Sequence, residues 1–70
     1  MNGSHEPKFA NKELLSVEEL AEYLGISVAS VRRMVERRSI RFYRLARHLR
    51  FRRSDVEAYL ATRLVEVIEV

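Results

Sequence analysis

Apolar residues recur at helical spacing in two adjacent blocks and then change to a shorter period. Val17, Leu20, Ala21 and Leu24 stand at i, i+3, i+4 and i+7, one stripe of an amphipathic helix. Ser16-Val17-Glu18-Glu19 has capping-box spacing, so Ser16 and Glu19 can each satisfy an open backbone N–H. Leu14 or Leu15 can serve as the staple residue ahead of that cap. Gly25 tolerates positive φ and so closes the helix. Only Gly25 and Ile26 separate it from a second helix, with Ser27 as N-cap. Val28, Val31, Met34 and Val35 form the inward stripe of this second helix, and Ser30, Arg33 and Arg37 the opposite one. So short a connection makes the two helices cross steeply, which is helix-turn-helix geometry.

Ile40–Leu45 then reads as a strand and Leu49–Arg52 as its partner, with Ala46, Arg47 and His48 at the tip. Ile40, Phe42 and Arg44 take one face; Arg41, Tyr43 and Leu45 take the other. Ser54-Asp55-Val56-Glu57 repeats the capping-box spacing and opens a third helix with Val56, Tyr59, Leu60 and Leu64 along one side. The end of the chain reads two ways. Helical phase continues through Leu64, Val67 and Ile68, but β-branched enrichment favours an extended segment. Residues 1–12 are polar and aperiodic, with Gly3 and Pro7, and read as a flexible tail that Phe9 can pin to the body. The chain thus divides into a tail at 1–12, a domain at 13–63 and an apolar segment at 64–70. The order helix, turn, helix, hairpin, helix predicts a mainly α winged helix-turn-helix with a small β-hairpin.

Composition narrows the class. Seventy residues make at most one domain, and 47 % apolar content excludes general disorder. No cysteine is present, which removes a disulfide scaffold, a cysteine zinc finger and a thiol nucleophile. It also fits a reducing compartment. The longest apolar run is four residues, Ala58–Ala61. A membrane span needs about 20 and a signal h-region about 7–15, so neither is expected. Charge changes the picture most. Residues 1–31 carry net −3, residues 32–53 net +9 from ten Arg and one Glu, and residues 54–70 net −3. An acidic frame around a strongly basic centre is the pattern of a face that meets a polyanion.

The second helix suits the major groove, about 12 Å wide, where each base pair has a distinct hydrogen-bonding pattern. Its N-terminal half comes nearest to base edges. Ser27, Val28, Ala29, Ser30, Arg32 and Arg33 are the candidates there, with Arg37 and Arg38 further along and suited to phosphates. Arg33 can take guanine O6 and N7 together. Ser30 can bond a base or a phosphate, or face solvent. Val28 or Ala29 can meet a thymine methyl, although Val28 equally suits the core. Arg32 can instead pair with Glu36 at i+4. In the wing, Arg47 suits the narrow minor groove, Arg44 and Arg50 suit flanking phosphates, and His48 is either a phosphate donor or an ordinary turn residue. Catalysis has little support: two histidines, one in the tail, assemble no triad or metal cluster, and Gly3 and Gly25 make no phosphate loop. No enzyme activity and no cofactor is expected.

The stretch Leu14-Leu15-Ser16-Val17-Glu18-Glu19-Leu20-Ala21-Glu22-Tyr23-Leu24-Gly25-Ile26-Ser27 resembles the opening of excisionase-family, MerR-like winged helix-turn-helix domains. Val31–Val35 is similar to their recognition helix, and Arg50–Leu60 to their second wing strand and following helix. The resemblance implies a small site-specific protein that binds double-stranded DNA in the cytoplasm of a bacterial host. In phage excisionases such a protein binds near the attachment site, bends it and helps integrase form the excision complex. Free-standing relatives regulate transcription, which is the alternative. An adaptor whose basic face binds RNA or an acidic protein is a third. Larger MerR-type regulators add a dimerising coiled coil and an effector domain, for which 70 residues leave no room. Two positions depart from the family pattern: Arg41 where proline is frequent, and Ala46 where the wing turn often has glycine. The tip is therefore expected to be longer, or to hold Arg47 or His48 in an unusual conformation. One such module buries only about 600–1,000 Å² on DNA. A homodimer or a cooperative array is therefore expected, with Leu64, Val65, Val67, Ile68 and Val70 as its contact; the alternative is that this segment folds back onto the chain's own core.

Overall fold

The structure, a computed structural model, describes residues 11–68. Phe9 and Val70, both given roles above, lie outside the described residues. Ser16 sits in extended backbone ahead of α1 (Val17–Leu24). The Glu19 N–H donates to Ser16 Oγ at 3.1 Å and the Ser16 N–H donates to Glu19 Oε1 at 3.0 Å, completing the capping box. Gly25, at φ 72°, ends the helix. The Ile26 N–H reaches Ala21 O at 3.0 Å and the Gly25 N–H reaches Glu22 O at 3.2 Å, a Schellman closure.

Ser27 caps α2 (Val28–Glu36) by accepting the Ser30 N–H at 3.0 Å. This helix closes with the same motif. The Arg38 N–H donates to Val35 O and the Ser39 N–H to Met34 O, each at 3.0 Å. Here an arginine, not a glycine, takes the left-handed position: Arg38 has φ 57°.

β1 (Leu14–Leu15), β2 (Tyr43–Leu45) and β3 (His48–Arg52) form an antiparallel sheet in the order β1-β3-β2. α3 (Arg53–Thr62) follows directly. Phe51, at the centre of the sheet, is fully buried with Leu15, Leu20, Val31 and Val56, and Val17, Ala21, Val35 and Ile40 complete the core. Apolar stripes from α1 and α2, one face of the sheet and one side of α3 thus share a single interior. The fold is a winged helix-turn-helix.

Several details differ from the sequence reading. The first wing strand is shorter than Ile40–Leu45: Ile40 is committed to the core, and pairing starts at Tyr43↔Arg50. The partner strand begins at His48, not Leu49, because Leu45 pairs with His48. That leaves a two-residue tip, Ala46 and Arg47. Ala46 itself takes the positive φ, 56°, so neither a longer loop nor an unusual Arg47 or His48 is needed. β1 was not anticipated. It also removes the second capping box. Arg52 is held in the ladder opposite Leu14, and the Arg53 N–H donates to Glu13 O at 2.9 Å. The helix therefore starts one residue before Ser54, with Arg52 as N-cap and no side-chain cap. Glu57 turns instead to Arg53, at 3.6 Å. α3 ends before Leu64, which stands exposed rather than continuing the apolar side. Residues 64–68 belong to no helix or strand, so the helical phase of Leu64, Val67 and Ile68 does not continue α3. Lys12, placed in the tail, donates to Glu19 Oε2 at 2.7 Å.

Candidate nucleic-acid interface

α2 is fixed at both ends and pressed into the core by Val31 and Val35. At roughly 100° per residue, Arg33 stands about 180° from the midpoint of those two valines, at the outermost line of the helix. Ala29 flanks it on the Arg32 side, and Arg37 and Ser30 on the other. Val28 is half-buried and packs against the core, so its structural reading holds. The exposed N-terminal half carries a small polar chain. Ser27 Oγ donates to Ser30 Oγ at 3.0 Å, and Arg33 Nη2 donates to the same Ser30 Oγ at 3.3 Å. The Arg33 guanidinium is thus steadied over the helix start, with its remaining N–H groups open.

Two clefts border this helix. One is lined by Arg32 together with Arg47, His48 and Arg50 of the wing, and by Val17 and Glu18 at the start of α1. It joins α2 to the wing tip, although Glu18 sets one carboxylate among the cations. The other cleft, lined by Ser30, Arg33, Arg37, Tyr59 and Arg63, lies between α2 and α3. Arg63 went unnoticed in the sequence because it lies outside the basic block. The fold places it on the same cleft as Arg37, with its guanidinium carbon 5.1 Å from the Tyr59 ring centre.

Arg44 is placed differently from the other wing residues. It opposes Leu49 in the ladder, whereas Arg50 opposes Tyr43, so Arg44 and Arg50 occupy opposite faces of the hairpin. The Arg44 guanidinium lies over Phe42, 5.9 Å from its centre. Arg38 lies over the same ring at 5.9 Å, and Arg52 over Tyr43 at 5.5 Å. Arg38, Arg41 and Arg52 line one cleft with Phe42 and Tyr43, and Arg52, two residues from Arg50, shares the Arg50 face of the hairpin while Arg44 does not.

Among the described residues, the only arginine of 32–53 within ion-pair distance of a carboxylate is Arg53; Arg32 does not reach Glu36. A self-satisfied surface would neutralise such cations in pairs. This one leaves the rest without a carboxylate partner; Arg50 instead donates to Leu49 O at 2.7 Å. Residues 14–64 match the helix-turn-helix domain family. The chain belongs to that family. No curated protein and no solved structure matches this helix-turn-helix chain. Its fold and family make it a sequence-specific module for double-stranded DNA. Among the described residues no helix is long and apolar enough to cross a membrane.

Proposed function

We propose that this helix-turn-helix protein is an excisionase, a non-catalytic cytoplasmic factor that binds and bends attachment-site DNA so that an integrase can excise the flanked segment. The observation that carries the reading is the cleft uniting Arg32 of α2 with Arg47, His48 and Arg50 of the wing. Cations on both sides of one exposed helix suit a duplex gripped along two grooves, and bending is repaid by the extra backbone contacts it permits. Arg33, with Ser30 and Ala29, reads bases. Arg32, Arg37, Arg47 and Arg50 hold phosphates, and Arg63 joins them. The resemblance of Leu14–Ser27 and Arg50–Leu60 to excisionases supports the recombination role over general DNA binding. A module this small gains specificity by binding as a homodimer or a cooperative array. The test is an excision assay with purified integrase and a substrate carrying both attachment-site halves, with and without this protein. Circularly permuted fragments report the bend. Stimulated excision with bent DNA supports the role. Unchanged excision on DNA that the protein demonstrably occupies contradicts it.

A further inference from the structure

The end of the chain and the edge of the sheet fit one another. β2 has a hydrogen-bonded neighbour on one side only, β3, so its outer backbone edge is open among the described residues. An open edge is a template for another strand. The segment after α3 has strand character and is uncovered: Leu64, Val65, Val67 and Ile68 are 68 %, 86 %, 87 % and 84 % exposed. Four such side chains in five residues are an unusual load for a free surface. Their charges also match. The segment carries Glu66 and Glu69 and no cation after Arg63, while the chain leading into and along β2 carries Arg38, Arg41 and Arg44.

The match extends to register. Laid antiparallel with Glu66 opposite Arg44, the segment sets Val65 opposite Leu45, Val67 opposite Tyr43 and Ile68 opposite Phe42. Leu45 and Tyr43 are themselves exposed large apolar residues, 47 % and 38 %, and share one face of the hairpin. Val65 and Val67 cover that face, while Glu66 falls on the face of Arg44. A slip of one residue in either direction loses the Glu66–Arg44 pair and sets it against an apolar residue. Just beyond Tyr43 a groove of about 470 Å³ opens between Arg38, Arg41, Phe42 and Arg52.

We propose that residues 64–68 of one copy add as an antiparallel fourth strand to the β2 edge of a second copy. This names the contact behind the self-association in the proposal above and rests on that part alone, not on recombination. The contact is heterologous: the tail of one copy meets the edge of the next, so each added copy leaves a new edge open. Cross-strand pairs of opposite charge and of apolar residues supply its affinity, and their alternation supplies its register.

Sedimentation velocity of the full chain without DNA, over a wide protein range, tests it. The expected result is concentration-dependent association. Glu66→Arg weakens it by about tenfold, Arg44→Glu does likewise, and the two together restore most of it. Glu66 lies in the uncovered segment, so Glu66→Arg does not disturb the fold, and circular dichroism checks Arg44→Glu. A chain ending at Arg63 stays monomeric. Association that persists in this shortened chain, or a double variant no better than the singles, overturns the proposal. So does a monomeric wild type, including one whose own tail is protected from hydrogen exchange at every dilution. DNA affinity of the shortened chain, measured separately on a single site, shows whether the DNA-binding reading stands when this one fails.

Discussion

Arg33→Ala separates base reading from simple attraction to a polyanion. Arg33 is exposed on the line of α2 opposite Val31 and Val35 and makes one hydrogen bond, 3.3 Å to Ser30 Oγ. Removing it costs the fold little, because exposed substitutions usually fall within about 0.5 kcal/mol and alanine is the better helix former. Any loss of DNA binding therefore reports on the contact and not on unfolding. A bidentate guanine contact is worth about 1–3 kcal/mol of discrimination, or roughly 5- to 150-fold in Kd. Fluorescence anisotropy on the cognate site and on every single-base variant of it measures this. The expected outcome is a weakened cognate complex that no longer distinguishes bases at one position and still distinguishes them elsewhere. Arg33→Lys should behave similarly, because an ammonium lacks the planar fork, yet keep the salt dependence. An equal loss on every sequence would make Arg33 a phosphate contact and refute the assignment.

Three further outcomes are expected. Gly25→Ala meets no atom within 4 Å, so its cost is backbone alone. A left-handed alanine costs about 1–2 kcal/mol, offset by about 0.4–1 kcal/mol from the stiffer unfolded chain. The net is about 1 kcal/mol, a drop of roughly 4–8 °C in Tm by calorimetry. Glu19 is held below the usual carboxylate range, first by the Lys12 ammonium and then by the Ser16 N–H. A depressed folded-state pKa stabilises above the unfolded value, about 4.3, and that stability is lost as pH falls through the lower folded value. Glu19→Gln should flatten this part of a urea-midpoint profile, and an unchanged profile would exclude Glu19 as its source. Finally, five arginines on phosphates, Arg32, Arg37, Arg47, Arg50 and Arg63, give a slope near −4.5 in log K against log salt. A flat response contradicts phosphate neutralisation.

Local chemistry was legible wherever one residue type has one cheap solution. Ser16 with Glu19, Gly25 and Ser27 mark helix ends in the sequence and do so in the structure, because each satisfies backbone groups within three residues of itself. The inward stripes of α1 and α2 were legible for the same reason: period sets the face. Legibility failed where a distant partner decides. Leu14 and Leu15 become a strand only because Phe51 and Arg52 lie beside them, and two residues are too few for an alternation. That pairing, with Glu13 O accepting the Arg53 N–H, then starts α3 early and sets aside the Ser54 cap. Arg38 and Ala46 adopt left-handed backbone with side chains that give no sign of it. The basic block announced a charged face, but its division was tertiary. Ladder register sends Arg44 to the opposite side from Arg50, and the fold places Arg63 on the same cleft as Arg37.

The proposed function requires Arg32, Arg33, Arg37, Arg47, Arg50 and Arg63 to meet DNA together around α2 and the wing tip. NMR of arginine Nε–H groups and backbone amides during titration with a cognate duplex tests it most directly. The largest shifts are expected at Ser27–Arg33, Arg37, Arg47, Arg50 and Arg63, with the Glu22 side of α1 and the Arg53–Glu57 pair unmoved. Shifts scattered around the molecule, or a Ser27–Arg33 segment left unperturbed at saturation, contradict it.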